Sequence, residues 1–188
     1  MPTEIEKKYR VTEGEAARVR ASLLEAGAGA EGAGFEVNTL YEGNGLDTSR
    51  RVLRLRRVGG GGARLTFKER VGAESGIKRN REEETGVADA DAVAAILEAV
   101  GFRPALVYEK RRETWRLGGA EVVIDELPFG WFVEIEGDES AILDVERRLE
   151  LNAAEVVNES YPELTHAHGL RRGDAVEARF RIGEIGGV

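Results

Sequence analysis

The chain has 188 residues, of which 41% are hydrophobic and 33% charged, and this composition is typical of one soluble domain with a full hydrophobic core. Its formal net charge of −8 argues against a nonspecific nucleic-acid binder, because such proteins are normally basic. The sequence has no cysteine, so it has no disulfides, no thiolate nucleophile and no cysteine ligand for zinc. It shows neither a long apolar run nor a secretion signal. These features predict a cytoplasmic protein without a membrane span.

The first predicted strand, residues 4–10, carries an unusual run of charges. Side chains at alternate positions of a strand share one face. One face therefore holds Glu4, Glu6, Lys8 and Arg10. A fully charged face needs either water or a charged ligand beside it.

Hydrophobic periodicity and turn residues predict the other elements in chain order. A helix with its cap near Thr12 follows the first strand and ends at about Gly27. Further strands are expected over residues 35–42, 51–58, 63–70, 77–85, 105–117, 120–127 and 131–136, and further helices over residues 89–101 and 138–151. Most strands are joined by hairpins, which predicts a largely antiparallel sheet. The sequence from Leu164 onward shows little pattern and is interpreted as a peripheral extension.

Basic residues occupy alternating positions on four of the later strands. This basic set consists of Arg54, Arg56, Lys68, Arg81, Lys110 and Arg112. Guanidinium groups bind phosphate oxygens bidentately and ammonium groups add point charges, so the set suits an anion that carries several phosphates. The alternative is an ordinary antiparallel sheet with a solvated outer face.

Acidic residues mark the first strand and the last two strands. This acidic set consists of Glu4, Glu6, Asp125, Glu134 and Glu136. Carboxylates are hard oxygen ligands that suit Mg²⁺ or Mn²⁺. Closing the sheet into a barrel would bring the two sets to face each other across a polar lumen. The separation of the two signs therefore favours a binding site for a metal-bound triphosphate.

Several short motifs occur in a characteristic order. They are Glu4-x-Glu6-x-Lys8, Leu53-Arg54-x-Arg56, Leu65-Thr66-x-Lys68, Arg81-Glu82-Glu83, Lys110-x-Arg112, Asp125, Glu134-x-Glu136 and Ser160-Tyr161. In this order the chain resembles the CYTH family, the triphosphate tunnel metalloenzymes, from about Pro2 to Leu164. That family includes class IV adenylyl cyclases, thiamine triphosphatases and inorganic triphosphatases.

The resemblance implies an α+β fold, a closed eight-stranded antiparallel β-barrel with helices packed outside. It would span residues 1–165, with residues 166–188 as a C-terminal extension. The acidic set would bind Mg²⁺ or Mn²⁺, with Glu4, Glu6 and Glu136 as the first choice of ligands and Asp125 and Glu134 next. The basic set and Lys8 would bind the triphosphate.

The resemblance also implies the chemistry of the site. Glu6, Lys8 and Arg56 would take part in catalysis: the metal site activates an attacking oxygen, and basic residues stabilise the phosphoryl transition state. Lys8 either orients the attacking water or binds the terminal phosphate, and both roles stay open. Arg79 shares the strand parity of Arg81 and is a further candidate contact.

Residues outside these two sets receive simpler interpretations. Tyr41 is interpreted as structural, and His166 and His168 as exposed residues of the C-terminal tail. Trp115 and Trp131 are expected to pack or to lie at the rim of the tunnel.

Three functions stay open at this point. The first choice is metal-dependent hydrolysis of inorganic triphosphate, thiamine triphosphate or a nucleoside triphosphate. The alternatives are a class IV adenylyl cyclase, which makes cyclic AMP and pyrophosphate from ATP, and a non-catalytic nucleotide or polyphosphate binder. The expected partner is a triphosphate-containing small molecule, with neither nucleic acid nor a membrane involved. The oligomeric state stays open, with a homodimer as one alternative.

Overall fold

The structure, a computed structural model, describes residues 3–74 and 76–181. Its eight main strands are β1 (Thr3–Val11), β2 (Gly29–Gly43), β3 (Arg51–Val58), β4 (Gly62–Glu74), β5 (Ile77–Val87), β6 (Phe102–Leu117), β7 (Ala120–Leu127) and β8 (Gly130–Glu136). Antiparallel pairing runs in the order β6-β2-β3-β4-β5-β1-β8-β7, and β7 pairs back with β6. The sheet is therefore a closed eight-stranded antiparallel barrel, which confirms the predicted fold class.

Four α-helices in the described part of the chain accompany the barrel. They are α1 (Glu13–Glu25), α2 (Ala90–Ala99), α3 (Glu139–Arg148) and α4 (Tyr161–His168). α1 begins where Thr12 and Glu15 form a reciprocal capping box, which satisfies backbone N–H groups of the first turn. Asp89 and Asp138 cap α2 and α3 without a capping box: Asp89 accepts from the N–H groups of Asp91 and Ala92, and Asp138 accepts from that of Ala141. None of the described helices has the length and apolar character that a membrane crossing requires.

The hydrophobic core lies between the outer face of the barrel and the helices. α1 and α3 pack on the apolar faces of the strands around β1 and β8, where Tyr9, Val133 and Ile135 are fully buried. α2 covers β2 and β3, and its Leu97 packs with Tyr41 and Leu55. Because side chains alternate along each strand, burying the apolar face outside turns the charged face into the barrel. The interpretation of Tyr41 as structural agrees with this packing.

The C-terminal part of the chain adds to the barrel. A short 3₁₀ helix (Leu151–Ala153) precedes β9 (Glu155–Val156), which pairs with β1. After α4, β10 (Leu170–Arg172) and β11 (Ala175–Ala178) form a hairpin, and β11 pairs in parallel with β6. The predicted domain boundary at residue 165 thus falls inside α4. Residues 182–188 of the predicted extension lie outside the described residues.

Both C-terminal histidines belong to α4. His166 and His168 are exposed, and the ring of His168 stacks on Phe129 with 5.5 Å between the ring centroids. The predicted exposure is confirmed, but the two residues are part of a helix.

A buried ion pair fixes α3 against the outer face of β1. Lys7 Nζ lies 2.7 Å from Glu146 Oε1, and each side chain is 10% exposed. Glu146→Gln keeps a hydrogen-bond acceptor but removes the charge that balances Lys7. We expect the free energy of unfolding to fall by about 1–3 kcal/mol, as measured by urea denaturation. Glu139→Gln, in an exposed ion pair of the same helix with Arg79, should change it by less than about 0.5 kcal/mol. Equal effects of the two variants would contradict the role given to the buried pair.

Candidate active site

The barrel encloses a charged cavity of about 850 Å³. Its buried and half-buried cations come from five strands and are Lys8, Arg54, Arg56, Lys68, Lys78, Lys110 and Arg112. The carboxylates that line it include Glu4, Glu6, Glu82, Glu84, Glu121, Glu134 and Glu136. The structure therefore brings together most of the predicted basic and acidic residues on one interior surface.

The first strand contributes its charged face to this cavity as the sequence predicts. In the pairing of β1 with β8, Glu6 lies opposite Glu136 and Lys8 lies opposite Glu134. Lys8 Nζ is 3.2 Å from Glu134 Oε1. Burial would raise the pKa of Glu134, but Lys8 and Arg112 outweigh burial and hold this pKa well below its ordinary value. Glu134 is thus an anion embedded among cations.

Asp125 is fully buried beneath the cavity surface and holds several donors in place. Arg112 donates to its two oxygens at 2.7 and 2.5 Å, and the Tyr161 hydroxyl donates at 2.8 Å. Lys110 Nζ also lies 3.4 Å from Oδ2. These contacts favour a role in orienting the two cations, whereas metal ligation by Asp125 stays a prediction.

Glu36 is a buried partner of two cavity cations, and the sequence reasoning missed it. It lies on β2, is buried, and is 3.3 Å from Lys110 and 3.6 Å from Arg56. Burial acts to raise its pKa, but Lys110 and Arg112 outweigh burial and lower this pKa to about 2. The sequence does contain a signal for an inward-facing Glu36, because Glu36 and Asn38 alternate with apolar neighbours in the predicted strand.

Carboxylates gather at one end of the cavity, which we call the acidic end (Glu4, Glu6, Glu82, Glu121 and Glu136). Burial raises the pKa of Glu4 to about 8, and the charges of Glu6 and Glu82 act in the same direction. Burial and the nearby Glu121 raise the pKa of Glu136 as well. Lys68 forms ion pairs with Glu4 and, at 2.8 Å, with Glu82. The acidic end is therefore short of positive charge.

The acidic end has the chemistry of a site for a hard divalent cation. Within residues 3–74 and 76–181, no three carboxylate or histidine groups already converge as metal ligands. Glu4 and Glu82 instead share the Lys68 ammonium. Carboxylate oxygens are the ligands that Mg²⁺ and Mn²⁺ prefer, and a divalent cation would relieve the repulsion that raises the pKa of Glu4 and Glu136. The residues present fit such an ion once the Lys68 ammonium moves away from Glu4 and Glu82.

The inward face predicted for β5 is wrong. Lys78, Asn80, Glu82 and Glu84 line the cavity, whereas Arg81 lies outside it and is exposed. Both faces of this strand are charged, so polarity alone does not show which face points into the barrel. The predicted triphosphate contact of Arg81 is therefore withdrawn.

Arg79 lies on the same outer face of β5 and forms an ion pair with Glu139 of α3. It is not a cavity contact. Of the two tryptophans, Trp115 is buried in the core under α1 and α3, and Trp131 packs against that core.

The segment before α4 and the first residues of that helix also line the cavity. The Glu159 carbonyl accepts hydrogen bonds from Lys8 Nζ at 3.2 Å and Lys78 Nζ at 3.1 Å. The buried Tyr161 ring lies 3.7 Å from Lys8 Nζ and packs against Phe132. Burial, together with Lys8, lowers the pKa of Lys78 to about 8. Lys78 and Tyr161 are thus cavity residues whose roles no strand pattern revealed.

Comparison with known proteins places the whole barrel in one family. A family model described as the CYTH domain matches residues 2–161. No curated protein matches the sequence significantly. The PH1012 protein from Pyrococcus horikoshii is similar over 86% of this chain and 98% of its own, with 26% identity and a TM-score of 0.75.

Two further solved structures share the fold. A candidate adenylate cyclase from Vibrio parahaemolyticus is 24% identical, with a TM-score of 0.68, over 86% of this chain and 96% of its own. A candidate adenylyl cyclase from Hippeastrum, described as revealing a dominant triphosphatase activity, is 17% identical, with a TM-score of 0.70, over 89% of this chain and 97% of its own. At these identities the two likenesses support the fold alone.

Proposed function

Because the chain belongs to the CYTH domain family, we propose that it is a metal-dependent triphosphatase that hydrolyses a triphosphate compound inside its barrel. The observation that carries the proposal is the interior of the cavity, where seven buried or half-buried cations from five strands face an acidic end. A single phosphate would not require so many cationic groups, whereas a triphosphate carries several charged phosphoryl groups. Inorganic triphosphate, thiamine triphosphate and nucleoside triphosphates are the substrate class.

Basic residues of the cavity would bind and orient the substrate. Arg54 and Arg56 lie on β3, and Lys110 and Arg112 lie on β6. Glu36 lies on the strand between them and contacts both Arg56 and Lys110. Their guanidinium and ammonium groups would bind phosphate oxygens and stabilise the charge that grows in the transition state. Burial of these side chains in the barrel lowers the local dielectric constant, which strengthens each of these contacts.

Carboxylates of the acidic end would hold the divalent ion. We assign Glu4, Glu6 and Glu136 as its first ligands, and Glu82 and Glu121 are the neighbouring carboxylates of the acidic end. When bound, Mg²⁺ or Mn²⁺ would supply charge neutralisation at the phosphate oxygens and activation of the attacking water. Glu134 would instead keep Lys8 and Arg112 in position.

The location of Lys68 makes metal and phosphate binding interdependent. Lys68→Met is expected to raise the affinity for Mn²⁺ alone about 10-fold, because the ammonium no longer competes for Glu4 and Glu82. The same variant should bind tripolyphosphate about 10-fold more weakly, since the cavity loses one cation. Isothermal titration calorimetry with each ligand alone measures both changes.

Lys110→Met is the matched control, because Lys110 pairs with Glu36 and Asp125 rather than with the acidic end. It should weaken tripolyphosphate binding without raising the Mn²⁺ affinity. A Lys68→Met protein with unchanged or reduced Mn²⁺ affinity would contradict the competition between Lys68 and the metal.

Product analysis tests the proposed function. The protein is incubated with Mg²⁺ or Mn²⁺ and with tripolyphosphate, thiamine triphosphate or ATP in parallel. Release of orthophosphate supports the hydrolase. Cyclic AMP with pyrophosphate would show a cyclase instead, and retained binding of all three compounds without any product would show a binding module.

A further inference from the structure

Lys78 is a buried lysine in the cavity for which the motifs of the sequence give no role. Its side chain is 7% exposed and belongs to the inward face of β5. It donates a hydrogen bond to a neutral acceptor, the Glu159 carbonyl, and Glu6 Oε1 lies 3.7 Å away, beyond a good hydrogen bond. An ammonium group has three donors, so donor capacity remains for a ligand.

Lys8 brings a second ammonium group to the same place. Both lysines donate to the same carbonyl oxygen of Glu159, at 3.2 and 3.1 Å. Their two nitrogen atoms therefore lie close to each other. Two like charges at this distance in a buried site repel each other. Of the carboxylates beside them, Glu6 lies within ion-pair distance of Lys78, and Glu134 of Lys8. An additional anion between the two ammonium groups would relieve the repulsion.

An aromatic surface lies beside Lys8, one of the two lysines. Tyr161 is buried, its ring lies 3.7 Å from Lys8 Nζ, and it packs against Tyr108 and Phe132. A phosphate chain that reaches Lys8 therefore meets an aromatic surface beside it. The group that fits there is the end of a chain. A terminal phosphoryl group also carries more charge than an internal one, which suits a pair of cations.

We propose that Lys78, together with Lys8, binds the last phosphoryl group of the substrate and thereby makes the cavity prefer a triphosphate over a diphosphate. The inference depends on the proposed function, since it concerns the same cavity. Lys78 is then a specificity-determining residue, and its effect appears as a loss of triphosphate affinity that the diphosphate affinity does not share.

Lys78→Met tests this assignment through binding without turnover. Calorimetric titrations with tripolyphosphate and with diphosphate, both without metal, give the ratio of the two affinities. We expect the ratio in favour of tripolyphosphate to fall about 10-fold, with the diphosphate affinity changed less than about 2-fold, because a diphosphate can occupy the remaining cations. Arg79→Gln is the matched control, since Arg79 is the neighbouring residue on the outer face of β5, and it should leave the ratio unchanged.

Each outcome decides the inference. A ratio that stays at the wild-type value, or equal weakening of both ligands, would overturn it. If Lys78→Met does not fold, Lys78→Gln, which keeps a donor but no charge, replaces it and should lower the ratio in the same direction. A wild-type protein that binds neither ligand would overturn the proposed function itself, which is a different result from a variant that binds both as the wild type does.

Discussion

Glu6→Gln is expected to lower kcat/KM for metal-dependent tripolyphosphate hydrolysis by about 10³-fold. Glu6 lies opposite Glu136 in the β1–β8 pairing and belongs to the acidic end, so its charge is part of what would hold the divalent ion. Glutamine has nearly the same shape and keeps an oxygen acceptor, but it carries no charge. The loss should therefore come from weaker metal binding rather than from unfolding.

Mn²⁺ binding separates these two causes. Glu6→Gln should show much weaker Mn²⁺ binding by calorimetry and an almost unchanged melting temperature. Glu155→Gln is the control, because Glu155 is an exposed carboxylate of β9 that also contacts a β1 residue, Arg10. It should leave both turnover and Mn²⁺ binding intact. Full metal-dependent turnover in Glu6→Gln would defeat the assignment of the acidic end as the metal site.

The second large effect is expected at Asp125. Asparagine in place of Asp125 removes the charge that balances Arg112 and Lys110 in a fully buried location. We expect the free energy of unfolding to fall by about 3 kcal/mol or more, because an uncompensated buried charge is costly. For a chain of this size the melting temperature would fall by about 6–12 °C. Tripolyphosphate binding should weaken at the same time, because both cations lose an orienting partner.

Asp125→Asn also decides between two roles for this residue. If Asp125 orients cations, Mn²⁺ affinity in the variant stays near the wild-type value. If it is a metal ligand, as the sequence predicts, Mn²⁺ affinity falls sharply. Tyr161→Phe serves as the comparison, since it removes a single neutral donor to Asp125 and should cost only about 1 kcal/mol.

The barrel was predictable because local patterns agree with each other. The alternation in β1 puts Glu4, Glu6 and Lys8 on one face, and the cavity confirms that face. Caps at Thr12 and Asp138 begin the helices where the sequence predicts them. Strand alternation and helix caps depend on neighbouring residues alone, so one sequence is enough to recognise them.

Other parts of the candidate site depend on contacts that no local pattern contains. β5 has charges on both faces, so its inward face is decided only by pairing with β1 and β4. Asp125 is recognisable as a carboxylate, but its burial depends on Tyr161, which is 36 residues away in the chain. Glu36 is an isolated charge in a strand, and its importance appears only when Lys110 and Arg56 are brought to it.

Closure of the barrel has a consequence for strand pairing between molecules. Each of the eight main strands has a partner on both sides, so their backbone groups offer little to a strand from another molecule. Among the described residues, the sheet continues beyond the barrel through β9, which pairs with β1, and through β11 and β10, where β10 is the terminal strand. That strand has three residues, two of which are Arg171 and Arg172. Its shortness and positive charge oppose edge-to-edge pairing, and so protect a β-rich chain from aggregation.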